Sequence, residues 1–207
     1  MHMVNGNNKC KKPYLASQFN ISAMSYGSLS KTATEALNLG AMLGNFYHNT
    51  GEGGISPYHL KHGGDLCWQI GTGYFGCRTK EGLFNPEMFK ENALKDEVKL
   101  IEIKLSQGAK PGHGGMLPGS KVNSEVAQIR GVEIGQDVNS PPIHKTFSTP
   151  KGLIEFVQEL RELSGGKPIG FKLCIGKKIE FFAICKAMME LDTYPDFITI
   201  DGAEGGT

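Results

Sequence analysis

A chain of 207 residues is long enough for one domain with a sizeable core. With 39% apolar and 21% charged residues it reads as globular, and 22 basic against 21 acidic groups argue against an electrostatic partnership with nucleic acid or a membrane surface. No apolar run approaches the ~20 residues of a membrane span, and residues 1–12 are polar with no apolar signal core, so the cytoplasm is the expected setting.

Residues 1–20 read as a polar lead-in and an extended arm, and 21–207 as the domain proper. A short strand is expected over 21–25, closed by Tyr26-Gly27-Ser28. A helix should follow over 30–43. There Thr32 and Glu35 have capping-box spacing, Ala36, Leu37, Ala41 and Leu43 offer an apolar face, and Gly44 is a stop. A second strand at 46–50 opens into Gly51-Glu52-Gly53-Gly54. Residues 55–85 look irregular and glycine-rich, with a β-hairpin around 66–75. Asn85-Pro86-Glu87 then starts a helix running to Leu94, with a cap residue followed by proline.

Residues 98–106 alternate apolar and polar, as a strand end does, and lead into the most informative stretch of the chain, 107–119. Five glycines and two prolines among those thirteen residues cannot propagate a helix or a strand, but they let bare main chain approach a ligand. Gln107 and Lys110 place an amide and a cation in that permissive backbone. A short helix is expected over 122–129, a strand end or turn at 140–144, and a helix from Thr149-Pro150 with Leu153, Val157, Leu160 and Leu163 on one face. Gly165-Gly166 stops it. Strand 169–174, helix 178–191 and strand 197–201 complete the order, before a glycine-rich run at 202–206.

Strands alternating with helices imply a parallel sheet, in a TIM-type barrel or an open doubly wound arrangement, with functional loops at the carboxyl ends of the strands. Glycine clusters at 51–54, 63–64, 71–76, 108–119 and 202–206 suggest loops returning to one functional face. About six strands are visible, whereas a full (β/α)8 barrel has eight in about 250 residues. The expected fold is therefore a TIM-type barrel truncated after about six strands. The five cysteines, at 10, 67, 77, 174 and 185, lack the close spacing of a metal site and are expected to be reduced, with Cys174 a buried strand residue.

Four motifs now stand in order: 21–30 (ISAMSYGSLS), 49–54 (NTGEGG), 107–112 (QGAKPG) and 201–207 (DGAEGGT). Together they resemble the FMN-binding synthase domain of glutamate synthase, and in particular its stand-alone glutamate-synthase-like relatives, from about Tyr14 to Thr207. The resemblance implies a (β/α)8 barrel with FMN at the carboxyl ends of its strands. It implies that Ala23, Met24 and Ser25 line the flavin ring, that Gln107 bonds the pyrimidine edge, and that Lys172 sits near N1 and O2. A fixed cation there favours the reduced, electron-rich ring. Read without the resemblance, Lys172 is an exposed strand-end lysine, although Phe171 and Leu173 beside it disfavour that in a two-sided sheet.

The same resemblance puts Lys110 and Arg130 on the carboxylates of 2-oxoglutarate, which suits their chemistry; on residue type alone both are surface charges. Glu52 is either an active-site acid or an acceptor that fixes its loop. His113 is either a general acid/base or a structural loop histidine, and His144 reads as structural. His113 and Met116 stand where the large enzyme carries an acid and an amide. Methionine makes no strong hydrogen bond to an oxo acid.

The leading functional reading is a flavin oxidoreductase that reduces an imino acid such as 2-iminoglutarate to glutamate. A second reading keeps FMN and changes the acceptor to another amine or amino acid, as His113 and Met116 suggest. A third is a non-catalytic barrel fragment. The implied partners are a small oxo or imino acid and an electron-donor protein. An iron–sulfur cluster would come only from residues outside this chain.

Overall fold

The computed structural model describes residues 2–109 and 112–202. It opens with an antiparallel ribbon of β1 (His2–Asn5) and β2 (Tyr14–Ser17), in register from His2↔Ser17 to Asn5↔Tyr14. There follow α1 (Lys31–Gly44), β3 (His48–Asn49), α2 (Pro57–Leu60), β4 (Leu66–Ile70), α3 (Pro86–Ala93) and β5 (Val98–Lys104). A small excursion, β6 (Met116–Leu117), α4 (Ser124–Arg130) and β7 (Val138–Asn139), precedes α5 (Pro150–Leu163), β8 (Ile169–Leu173), α6 (Lys178–Glu190) and β9 (Phe197–Ile200).

Strands β3, β4, β5, β8 and β9 form one parallel sheet in that order, and β6 pairs with β7 apart from it. Among the described residues the strand order does not reverse, unlike a doubly wound sheet. The sheet curls into a half-barrel with helices on its convex side. The predicted strand at 21–25 is an extended segment bound to the edge of β3 through one parallel bridge, Ile21↔His48. The expected hairpin at 66–75 is instead a single strand, β4, whose five residues are all buried. Burial on both faces erases the polar alternation that separates a central strand from a hairpin arm.

The convex face carries the core. Trp68, Ile70, Ile101, Ile103, Ile169 and Phe171 pack with Phe89 and Ala93 of α3, Leu153, Phe156, Val157 and Leu160 of α5, and Ala187 and Met188 of α6. Trp68 lies almost parallel to Phe89, with ring centroids 5.2 Å apart. Helices α3 and α5 start as the sequence suggests: Asn85 accepts from the N–H groups of Glu87 and Met88, and Thr149 accepts from that of Gly152. Helix α1 does not. Its cap is Ser30, which accepts from Ala33, and Asn45, at φ 52°, ends it. Its buried face is Thr34, Asn38 and Ala41 rather than the leucines, and Leu43 points outward. Asn38 is drawn inward because it bonds the main chain at His62 and Gly64.

The ribbon and the turn behind it cover the amino ends of the strands. Tyr14 donates to Asp65, just before β4, and the N–H groups of Lys11 and Lys12 donate to Gly166 O, just before β8. Buried Lys167 closes the same end, its ammonium donating to the carbonyls of Ala93, Lys95 and Val98 at 2.6, 2.8 and 2.5 Å. Lys167 thus satisfies carbonyls that the end of α3 leaves open at Ala93 and Lys95, and joins them to the first carbonyl of β5. Lys167→Met is expected to cost about 2–3 kcal/mol in urea unfolding, because hydrogen bonds from a charged donor are replaced by unmet acceptors. An unchanged midpoint would show that water serves those carbonyls equally well.

Candidate functional site

The carboxyl ends of the strands surround a cavity of about 560 Å³. Its walls come from the 22–25 segment with Ser28 and Leu29, the Gly51-Glu52 turn after β3, Gln69 of β4, Lys104 at the end of β5 with Gln107 beyond it, Lys172 of β8, and Asp201 and Gly202 just after β9. Ala23, Met24, Ser25, Glu52, Gln107 and Lys172 therefore share one enclosure. A second cavity, of about 280 Å³, continues from Ala23 and Lys172 into the concave side of the sheet, past Asn49, Glu102 and Thr199.

Parallel pairing explains the polar lining. Ile101, Ile103 and Phe171 point to the core, so Glu102, Lys104 and Lys172 must point the other way. Lys104 and Lys172 are register partners and emerge side by side. Each meets a carboxylate: Lys104 Nζ lies 3.0 Å from Glu52 Oε1 and Lys172 Nζ lies 3.1 Å from Asp201 Oδ2. Lys104 also donates to Gln107 Oε1 at 2.7 Å, which fixes the orientation of that amide. Two residues back along β5, the buried Glu102 carboxylate accepts from Asn49, Gln69 and Thr199 at 2.9, 2.7 and 2.7 Å.

Glu52 is tightly held. A Cβ at Gly71 would lie 2.5 Å from its Oε2, and one at Gly115 would lie 2.5 Å from its Oε1. Gly51, at φ +65°, lies against the main-chain N of Ser25, only 2.7 Å from where a Cβ would stand, so the turn and the 22–25 segment can meet only through glycine.

The other predicted residues lie elsewhere. Arg130 is buried but does not line the cavity; its Nη2 donates to Tyr26 O at 3.2 Å and its guanidinium sits 5.1 Å from the Phe75 ring centroid. A Cβ on Gly53 would stand 2.9 Å from that Nη2, so one glycine separates Arg130 from the Glu52 turn. Burial draws the Arg130 pKa below its ordinary value, with Glu52 acting in the opposite direction. His113 is exposed and outside the lining. Lys110 lies outside the described residues. His144 is structural, buried between Tyr74 OH and Lys104 O at 3.0 and 2.8 Å. Cys174 is half-buried just past β8, where its N–H donates to Ser106 Oγ.

Sequence reading passed over Lys104, Gln69, Glu102 and Asp201. For Glu102 and Lys104 the signal was the polar half of the alternation in residues 98–106; Asp201 opened the 201–207 motif without being given a role, and Gln69, in a strand buried throughout, gave no signal.

Taken together, these features define a parallel α/β half-barrel with a lysine-bearing polar cavity at its carboxyl-terminal edge. The chain belongs to the glutamate synthase family: the family model described as "Conserved region in glutamate synthase" matches residues 2–207. It is 47% identical over 98% of its length to a glutamate synthase large subunit-like protein, YerD, of Bacillus subtilis. It is 35% identical over 90% of its length to an archaeal glutamate synthase [NADPH] of Archaeoglobus fulgidus, and 34% identical over 93% to the glutamate synthase [NADPH] large chain of B. subtilis. The chain spans 38%, 33% and 12% of those proteins respectively. No helix among the described residues is long and apolar enough to cross a membrane.

Proposed function

We propose that this chain is the FMN-binding part of an oxidoreductase that reduces an imino acid, such as 2-iminoglutarate, to the amino acid, and that residues 21–207 form a (β/α)8 barrel with further βα units of the whole protein. The carrying observation is that the 23–25 main chain, Gln107 and Lys172 meet in a single cavity of about 560 Å³, within the size range of cofactor sites. The lining suits a planar, electron-rich ring: extended main chain for its face, an oriented amide for its polar edge, and an ammonium beside it. When bound, FMN supplies the electron pair that reduces the imino carbon.

This chain's residues supply the rest. Lys172, on a rigid strand and paired to Asp201, provides positive charge that favours the reduced cofactor. Lys104 and Glu52 hold the Gln107 amide in one orientation. On this choice of acceptor Lys110 binds a substrate carboxylate, while Arg130, one glycine from the Glu52 turn, would have to leave Tyr26 O to bind the other; positioning itself lowers much of the barrier. Glu52 and His113 are the candidates for moving protons. Electrons come from a donor protein, through a cluster outside this chain, in a cytoplasmic setting. A second reading keeps the cofactor and changes the acceptor. It is favoured by Arg130, which spends its guanidinium on Tyr26 O and Phe75 rather than on the cavity.

The whole protein is expected to purify with one FMN per chain. Lys172→Gln should lower the flavin potential by about 30 mV or more, equivalent to about 1.4 kcal/mol for a two-electron couple. A colourless protein that leaves added FMN fluorescence unquenched would end the cofactor assignment. Bound FMN with no turnover of 2-oxoglutarate plus ammonia, but turnover within a panel of other oxo acids and amino acids, would end only the first choice of acceptor.

A further inference from the structure

The 22–25 wall of the cavity belongs to no helix or strand, so tertiary bonds must hold it. On one side Met24 N–H donates to Asn49 O at 3.1 Å. On the other, Met24 O meets His59 Nε2 at 3.2 Å. The ring is oriented from its far edge: Ser56 N–H donates to His59 Nδ1 at 3.1 Å, and Ser56 Oγ stands 2.8 Å from the same nitrogen. An Nδ1 that accepts a main-chain N–H carries no proton, so the ring proton sits on Nε2 and is donated to Met24. Ser56 and His59 are both fully buried, and their capping box at the start of α2 fixes the ring.

We infer that His59 is a positioning residue: with Ser56 setting its tautomer, it clamps the Met24 carbonyl and so holds the 23–25 main chain in the shape that receives the cofactor. The inference rests on the reading of this cavity as the FMN site. It assigns a role to a histidine that lies in neither the cavity nor any motif singled out from the sequence. It also makes a side-chain demand: the residue at 59 must reach Met24 O with an N–H donor.

Glutamine and asparagine separate this demand from simple burial. The amide nitrogen of glutamine reaches about as far as Nε2, whereas that of asparagine stops near Nδ1. In the whole protein, His59→Gln should hold the FMN dissociation constant within about threefold of wild type. His59→Asn should raise it tenfold or more and speed hydrogen exchange at amides 22–26. Ser56→Ala, which removes one of the two Nδ1 contacts, should fall between them and serves as the test should His59→Asn not fold. Equal affinity and equal exchange for the glutamine and asparagine variants would overturn the inference, as would Ser56→Ala indistinguishable from wild type. If the wild-type protein binds no FMN, the cofactor reading fails separately, and the exchange comparison alone decides the role of His59.

Discussion

Lowering the pH from 7 to 5 is expected to remove about 4 kcal/mol of folding stability through two histidines, His48 and His59. Both are fully buried, and their rings lie 5.2 Å apart between the sheet and α2. Burial, reinforced by the neighbouring His59, pulls His48 down to about 3; burial pulls His59 down to about 4, against the opposing bond to Met24. In the unfolded chain both titrate near 6.5. Below that pH the unfolded state binds protons that the folded state refuses, so stability is present above the unfolded pKa and is lost as pH falls. Each group contributes a slope of about 1.4 kcal/mol per pH unit until its folded pKa is reached. Against a typical total of 5–15 kcal/mol, this is a large fraction.

Neither ring nitrogen of His48 has a hydrogen-bond partner among the described residues, so His48→Leu removes an acid-labile group without breaking a bond seen there. That variant should lose about half as much stability as wild type between pH 7 and pH 5, measured by urea midpoints at the two values. Equal losses in the two proteins would show that carboxylates, not these histidines, govern the acid limb.

Much of the architecture is written locally. The caps at Asn85 and Thr149, the apolar face of α5 and the polar–apolar alternation near Lys104 are features of single segments, and each found its element. The errors arose where a long-range fact decides. β4 is buried on both sides only because α3 and the concave polar layer flank it, which no property of residues 66–70 announces. The 21–25 stretch has the composition of a strand but only one bridge to β3. Glycine clustering pointed to the cavity at Gly51 and Gly202, which line it, and at Gly71 and Gly115, which press on Glu52, but not at 63–64. Gly64 lies before β4, where a Cβ would stand 2.6 Å from Asn38 O, so its reason is helix packing at the opposite edge.

The site shows the same division. Ala23, Met24, Ser25, Gln107 and Lys172 entered through motif resemblance, whereas Lys104 emerges only from register and Asp201, the first residue of the 201–207 motif, gains its role only from its contact with Lys172. Alternation tells which side of β5 a lysine occupies. It does not tell that Lys104 stands beside Lys172, or that each lysine has its own carboxylate.

Asp196→Ala should be the most damaging single substitution at the other end of the strands, costing about 3–5 kcal/mol. Its carboxylate is fully buried and serves four donors: Arg161 Nε and Nη2 at 3.2 and 3.0 Å, Ile169 N–H at 2.9 Å and Asn7 N–H at 2.7 Å. One side chain therefore joins α5, the first residue of β8 and the turn behind the amino-terminal ribbon. Its loss strands a buried guanidinium whose other contacts, Tyr194 O and Gln158 Oε1, carry no full charge. Removing the arginine as well relieves that burden, so the Asp196→Ala/Arg161→Met double variant should be more stable than the sum of the single losses by about 2 kcal/mol. Strict additivity in urea unfolding would refute the coupling. The pair stands before β9, whereas Lys172 and the cavity stand at the carboxyl ends of the strands. In a sheet that stabilises at one edge and binds at the other, the surviving folded fraction of Asp196→Ala should keep wild-type affinity for whatever the cavity holds.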